Sequence, residues 1–137
     1  MELSKERLER LRELLAPAHQ QIVIVSHTNP DGDAVGSSLA WAEVLRTMGH
    51  EVTCVVPNKF PYFLDWMPGI DEIVVFKTDT EGRAARAIAE ADILFCLDFI
   101  RPLMPFQFIN YRSFFSHEIT SIFSLDIISY FTLIFAK

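Results

Sequence analysis

His27, Asp31 and Asp33 lie within one turn-forming stretch, Ser26-His27-Thr28-Asn29-Pro30-Asp31-Gly32-Asp33-Ala34-Val35-Gly36-Ser37-Ser38, directly after a run of apolar residues. An imidazole nitrogen and carboxylate oxygens are the donors that suit a hard divalent ion such as Mn²⁺ or Mg²⁺. Two such ions side by side clamp the attacking and leaving oxygens of a phosphoryl displacement. The same residues also have ordinary structural uses: Asn-Pro-Asp-Gly is a turn signature, and Asp33 stands where a helix N-cap belongs. A cap needs only one acidic residue, however, and a turn needs no histidine straight after a strand. The structural account therefore leaves His27 and one carboxylate without a task. Asp98 is the next carboxylate to weigh, because it ends the apolar run Ile93–Leu97. Ligands of an open parallel sheet collect at the carboxyl ends of its strands, where His27, Asp31 and Asp33 are expected as well. An aspartate that simply opens a loop after a strand is the competing reading.

The elements that must position these groups follow from periodicity. Ser4 can cap a helix running to about Leu15, with Leu8, Leu11 and Leu15 on one stripe, and Pro17 ends it. Gln21 to Ser26 holds the β-branched run Ile-Val-Ile-Val, which suits a strand buried on both faces of a parallel sheet. After the turn, Ala34 to Met48 reads as a helix with Val35, Leu39, Ala42 and Leu45 inward, and Gly49 closes it in the left-handed conformation. Gly36 and Ser37 keep the first turn of that helix slim. Glu51 to Val56 is a second apolar strand, completing a strand-helix-strand unit with a right-handed crossover. Lys59 to Met67, with Pro61, Tyr62, Phe63, Leu64 and Trp66, is expected as a short helical or irregular cover over the core, stopped by Pro68-Gly69. Lys59 is its sole cation, so packing is favoured there over a base-stacking platform. Ile73 to Phe76 supplies a third strand. Asp79 or Thr80 opens a helix to about Ala89, with Ala84, Ala85, Ile88 and Ala89 as its apolar face, and Ile93 to Leu97 is a fourth strand. The fold class is α/β: a parallel sheet of at least four strands with helices on both faces.

The spacing His-x-x-x-Asp-x-Asp-x-x-Gly on His27, Asp31, Asp33 and Gly36 resembles the first motif of the DHH phosphoesterases. The order of elements resembles that family as far as about Asp98. The wording from His27 to Ser37 is most similar to the branch that degrades very short oligoribonucleotides and dephosphorylates 3′-phosphoadenosine 5′-phosphate. The resemblance implies a centre of two Mn²⁺ ions, with Mg²⁺ compatible with the same donors. By that likeness His27 and Asp31 hold one ion, Asp33 the other and Asp98 both, and Asp31, Asp33 and Asp98 are the catalytic set. Asn29 and Ser37 are candidates to orient ligands or phosphate at the helix N-terminus, where backbone N–H groups and the dipole favour anions. The implied function is metal-dependent phosphoester hydrolysis of short oligoribonucleotides or small nucleotide phosphates by a two-metal mechanism. Two other readings stay open: a non-catalytic fragment that binds nucleotide or metal, and a hydrolase like the family II inorganic pyrophosphatases, whose first motif is related.

Composition bounds the rest. A chain of 137 residues is one ordinary domain, and its net charge of −6 without any Lys/Arg run argues against a long nucleic-acid groove. The expected partner is therefore a small nucleotide or short oligonucleotide, with a homodimer left open. The charged opening Met-Glu-Leu-Ser-Lys-Glu-Arg lacks the apolar core of a secretory signal, so the cytoplasm is the expected compartment. Cys54 and Cys96 fall in apolar strands without Cys-x-x-Cys spacing and are expected as reduced core residues. Residues 1–98 form the N-terminal part of a DHH domain in this reading. Residues 99–137 hold eight of the twelve Phe, seven Ile and no Gly, which breaks the composition of what precedes them. AT-rich DNA translated out of frame often yields such a segment, and a shifted frame or truncation is the expectation there. The family's Asp-His-His motif and later Asp have no counterpart: His117 precedes Glu118, and Asp126 sits in an apolar stretch. Neither does the family's smaller C-terminal substrate-binding domain. With about half the ligands, this chain alone is expected to show weak metal affinity and little or no turnover. The eighteen-residue run 119–136 approaches the length of a membrane span, but Asp126 at its centre and three serines weigh against one.

Overall fold

A computed structural model describes residues 5–99, 121–127 and 130–136. Three α-helices, α1 (Lys5–Leu15), α2 (Gly32–Thr47) and α3 (Arg83–Glu90), alternate with four strands, β1 (Gln21–Val25), β2 (Glu51–Val56), β3 (Val74–Val75) and β4 (Ile93–Phe99). Two further strands follow, β5 (Ser121–Ile127) and β6 (Tyr130–Ala136). All six share one sheet in the order β3-β2-β1-β4-β6-β5. β1 pairs in parallel with β2 and β4, and β2 with β3, while β6 joins β4 antiparallel and β5 joins β6 antiparallel. The expected parallel sheet of four strands with helices on its faces is thus present, and the Phe- and Ile-rich segment adds β5 and β6 beside it.

β1 is the centre because its residues can be buried on both sides. Ile22 and Ile24 point into one layer with Cys54, Val56, Ile93 and Phe95, under Val35, Ala42 and Leu45 of α2 and Leu15 of α1. Val23 and Val25 point into the other with Val55, Val74, Leu94 and Cys96, under Ala84 and Ile88 of α3. Each fully buried aliphatic side chain contributes about 1.5–3 kcal/mol, so the alternation of four β-branched residues fixes the sheet's position between two helical layers. Trp41 of α2 meets Phe95 edge to face, with ring centroids 5.6 Å apart.

Several boundaries differ from the sequence reading for local reasons. α2 begins at Gly32 rather than Ala34, because Asp31 and not Asp33 is its N-cap: Asp31 is extended (φ −92, ψ −173) and its side chain accepts from the Ala34 N–H. α3 begins at Arg83, after Gly82 in the left-handed region at φ 71. Asp79, expected to open that helix, serves it from outside, its carboxylate accepting from the Ala84 N–H at 2.8 Å. β3 shrinks to two residues because the chain tightens into a 3-10 turn at Phe76–Thr78, where the Lys77 N–H donates to the Pro57 carbonyl. β4 runs to Phe99, so Asp98 lies inside the strand instead of just after it. The expected cap Ser4 lies outside the described residues. Among the described residues no helix is long and apolar enough to cross a membrane.

Candidate functional site

The carboxyl ends of the parallel strands carry the polar residues singled out above. β1 ends at Val25, the next side chain, Ser26, is fully buried, and then the backbone turns and half-exposes His27. The His27 Nδ1 lies 2.8 Å from the Thr28 carbonyl oxygen. A carbonyl only accepts, so Nδ1 carries the proton, and in the neutral ring Nε2 keeps the lone pair. That nitrogen is 4.0 Å from Oδ1 of Asp31, across a pair whose carboxylate is largely in water. The chain reaches Asp31 through Asn29 in the left-handed region (φ 55), a conformation asparagine tolerates, and through buried Pro30. Asp31 Oδ1 accepts from the Ala34 N–H at 3.0 Å. One carboxylate oxygen therefore both closes the helix and faces the imidazole.

The other candidates divide. Asp33 is exposed in the first turn of α2. The hydroxyl of Ser37 turns back on its own helix, donating to the Ala34 carbonyl at 3.3 Å, and buried Ser38 does the same at 2.7 Å. A Cβ built on Gly36 would meet nothing within 4 Å, so the first turns of α2 are open there among the described residues. Asn29 is engaged with a residue that nothing in the sequence marked: its N–H donates to Asn58 Oδ1 and its Oδ1 accepts from Asn58 Nδ2, both at 2.7 Å. Asn58 follows β2, so this amide pair ties two strand-end loops together. Asp98 lies in β4 two residues beyond Cys96, whose pairing with Val25 is the last between β1 and β4.

The structure thus brings His27 and Asp31 together and adds Asp33 on the adjoining turn, while Asp98 lies in β4 two residues past the last residue that pairs with β1. Among the described residues no group of three or more His, Cys, Asp or Glu is gathered closely enough to hold a metal ion. The donor types fit a divalent cation nonetheless: an imidazole oriented by a backbone carbonyl, and carboxylates largely in water. Ser26 Oγ, buried between β1 and His27, has no hydrogen-bond partner among the described residues. The two cysteines are free and buried as expected. Burial pushes the Cys54 thiol up to about 11, with nearby Arg46 opposing and Glu72 adding, and burial alone raises Cys96 further.

Fold and loop together define a class: an α/β domain of open parallel sheet whose donor-bearing residues stand at the carboxyl edge after the first strand. Residues 21–120 match the DHH family, N-terminal domain, and the chain belongs to that family. It is similar to the bifunctional oligoribonuclease and PAP phosphatase NrnA of Thermus thermophilus, with 36% identity over 67 residues, which cover 49% of this chain and 20% of that protein. It is also similar to the crystal structure of an exopolyphosphatase-related protein from Bacteroides fragilis, with a TM-score of 0.65 and 42% identity, covering 70% of this chain and 28% of that one. The family likeness drawn from His27, Asp31, Asp33 and Gly36 is borne out. The chain spans under a third of the length of either relative.

Proposed function

We propose that the chain is the N-terminal part of a metal-dependent phosphoesterase acting on short oligoribonucleotides or small nucleotide phosphates. The observation that carries this reading is the pairing of His27 with Asp31 at the carboxyl end of β1: Nδ1 lies 2.8 Å from the Thr28 carbonyl oxygen and Nε2 4.0 Å from Asp31 Oδ1. In this reading His27 and Asp31 would hold one divalent ion and Asp33 a second, with Asp98 of β4 serving both. Mn²⁺ is the ion implied by the family, and Mg²⁺ suits the same donors. When bound, such ions supply Lewis acidity and an activated water for in-line displacement at phosphorus. The chain's own part is to fix the imidazole tautomer, to hold Asp31 by its cap bond, and to present backbone N–H groups of α2 toward an anion. Its relatives in the family include a bifunctional oligoribonuclease and PAP phosphatase, which supports a nucleotide substrate.

A second reading is a non-catalytic fragment that binds metal or nucleotide, favoured by the gathering of only a pair of donors among the described side chains. A third is cleavage of inorganic phosphoanhydrides, suggested by the exopolyphosphatase-related relative. One assay separates them: hydrolysis of 3′-phosphoadenosine 5′-phosphate, a diadenylate and pyrophosphate with Mn²⁺, by wild type and Asp31→Asn. Turnover of the first two that disappears in the variant supports the phosphoesterase. Metal binding without any turnover supports the fragment, pyrophosphate cleavage alone the third reading, and turnover indifferent to Asp31→Asn removes the site assignment.

A further inference from the structure

Between the start of β1 and the end of β4 the chain carries five lysines and arginines, and they divide by edge of the sheet. Arg46, in the last turn of α2, is committed: it donates to the Val52 carbonyl at 3.0 Å and pairs with Glu72 at 3.1 Å. Lys59, Lys77, Arg83 and Arg86 all follow the carboxyl ends of β2 and β3, on the edge that bears His27 and Asp31. Arg86 donates to the Glu81 carbonyl at 3.5 Å. Arg83 opens α3, whose next N–H, that of Ala84, is taken by the Asp79 carboxylate at 2.8 Å, so an opposite charge already stands at that turn. Lys59 and Lys77 are exposed and have neither an ion pair nor a side-chain hydrogen bond among the described residues.

Hydrogen bonds draw both lysines to the His27–Asp31 loop. Asn58, the residue before Lys59, exchanges two bonds of 2.7 Å with Asn29, which stands midway between His27 and Asp31 in the chain. The Lys77 N–H donates at 3.0 Å to the carbonyl of Pro57, the residue before Asn58. Leu64, whose Cδ2 would lie 3.7 Å from a Cβ on Gly32, seats the following segment against α2, while Tyr62, Phe63 and Trp66 stay exposed. The turns after β1, β2 and β3 therefore stand side by side in the order of the strands, each bonded to the next.

Two uncommitted ammonium groups are too few for a groove that tracks a run of phosphates, and they suit a single phosphate group, which lysine meets as a point charge. Short oligoribonucleotides and 3′-phosphoadenosine 5′-phosphate both carry the ester to be cleaved on a nucleoside 3′ oxygen. The 5′ oxygen of the same sugar is then the place for a second phosphate. We propose that Lys59 and Lys77 bind that 5′-phosphate while the 3′ ester lies at the His27–Asp31 loop; this rests on the function proposed above. The lysines are specificity residues in this arrangement. They favour a nucleotide with separate phosphates on its 3′ and 5′ oxygens over one with a bare 5′ hydroxyl, and they leave the affinity of the loop for its own phosphate unchanged.

The full chain with Mn²⁺ is titrated by calorimetry with adenosine 3′,5′-bisphosphate and with adenosine 3′-monophosphate. Wild type is expected to bind the bisphosphate at least about tenfold more tightly. Lys59→Ala and Lys77→Ala each raise the Kd for the bisphosphate about tenfold and leave that for the monophosphate as it was. Lys59→Arg, which keeps the charge, keeps the preference. Lys5→Ala in α1 removes the same charge far along the chain and changes neither Kd. Circular dichroism confirms that these surface changes leave the fold intact. Where turnover accompanies binding, the same ratios appear in KM with kcat unaltered. Wild type without a preference for the bisphosphate, an equal loss for both nucleotides in the lysine variants, or the same loss in Lys5→Ala each overturns the assignment. Mn²⁺ binding, read by electron paramagnetic resonance, keeps the two readings apart. A lysine-dependent preference without Mn²⁺ binding removes the metal site and leaves the phosphate site, whereas Mn²⁺ binding without the preference does the reverse.

Discussion

Asp31 offers a clean separation of folding from metal binding, because one of its oxygens does structural work that asparagine can repeat. Its Oδ1 accepts from the Ala34 N–H at 3.0 Å and caps α2. Asp31→Ala removes that bond and costs about 1 kcal/mol, plus about 0.5 kcal/mol for the lost negative charge at the helix N-terminus. In a chain of this size that amounts to a fall in Tm of about 4–8 °C. Asp31→Asn keeps the cap and loses only the charge term, so its Tm is expected within about 3 °C of wild type. Metal binding should not follow that order. Removing a partner of a ligand weakens metal affinity 10–100-fold, and removing a ligand is expected to cost at least about 100-fold, equally in Asn and Ala. Thermal unfolding by circular dichroism and Mn²⁺ titration by electron paramagnetic resonance, on the three proteins side by side, measure both. Asp31→Asn with wild-type Mn²⁺ affinity would refute the ligand role. Asp31→Asn as unstable as Asp31→Ala would refute the capping account.

Three further outcomes are expected. Asn58→Ala breaks both bonds to Asn29 and should cost about 1 kcal/mol in urea denaturation, with a several-fold loss of Mn²⁺ affinity as the His27 loop loosens; no change in either would show the amide pair to be idle. Phe95→Ala removes a side chain that is 1% exposed and packed against Trp41, and should cost about 3–5 kcal/mol, a large share of a domain's total stability, readable as a lowered urea midpoint. The Cys54 thiol, raised from 9.0 to about 11 by burial, stays protonated in the folded chain while the unfolded chain ionises near 9.0, so this group lowers stability as pH climbs from about 9 to about 11. Cys54→Ala should flatten that alkaline limb of a Tm-against-pH curve, and an unchanged limb would count against the burial account.

Residues with a local job were legible in the sequence, and residues with a distant one were not. The Ile-Val-Ile-Val run announced β1 because a strand flanked on both sides and covered on both faces has no polar position to interrupt it. Val35, Ala42 and Leu45 at helical spacing announced the inward face of α2. The cap was misplaced by two residues, since Asp31 and Asp33 are equally good caps in composition and the backbone at Asp31 decides between them. Asn58 could not be found, because its partner Asn29 lies 29 residues away and an asparagine after a strand reads as an ordinary turn. The exposure of Tyr62, Phe63 and Trp66 was missed for a related reason: aromatic content signals burial on average, and which rings a short 3-10 segment turns outward is set by Leu64 seating against α2. Of the site itself, the motif gave the residues, and the structure added the contact of His27 Nδ1 with the Thr28 carbonyl and the capping role of Asp31.

β1 is paired on one side by β2 and on the other by β4. β1 is complete by Val25, yet the side of it that pairs with β4 stays unsatisfied until residues about 71 positions further along have been made, as the bond from Gln21 to Asp92 measures. At roughly 5–20 residues per second that wait is about 4–14 s, during which a bare run of Ile and Val has an open hydrogen-bonding edge. Growth on the β2 side does not close it. The pairing at the centre of the sheet is therefore a long-range one, whose loop entropy must be met before its contacts form.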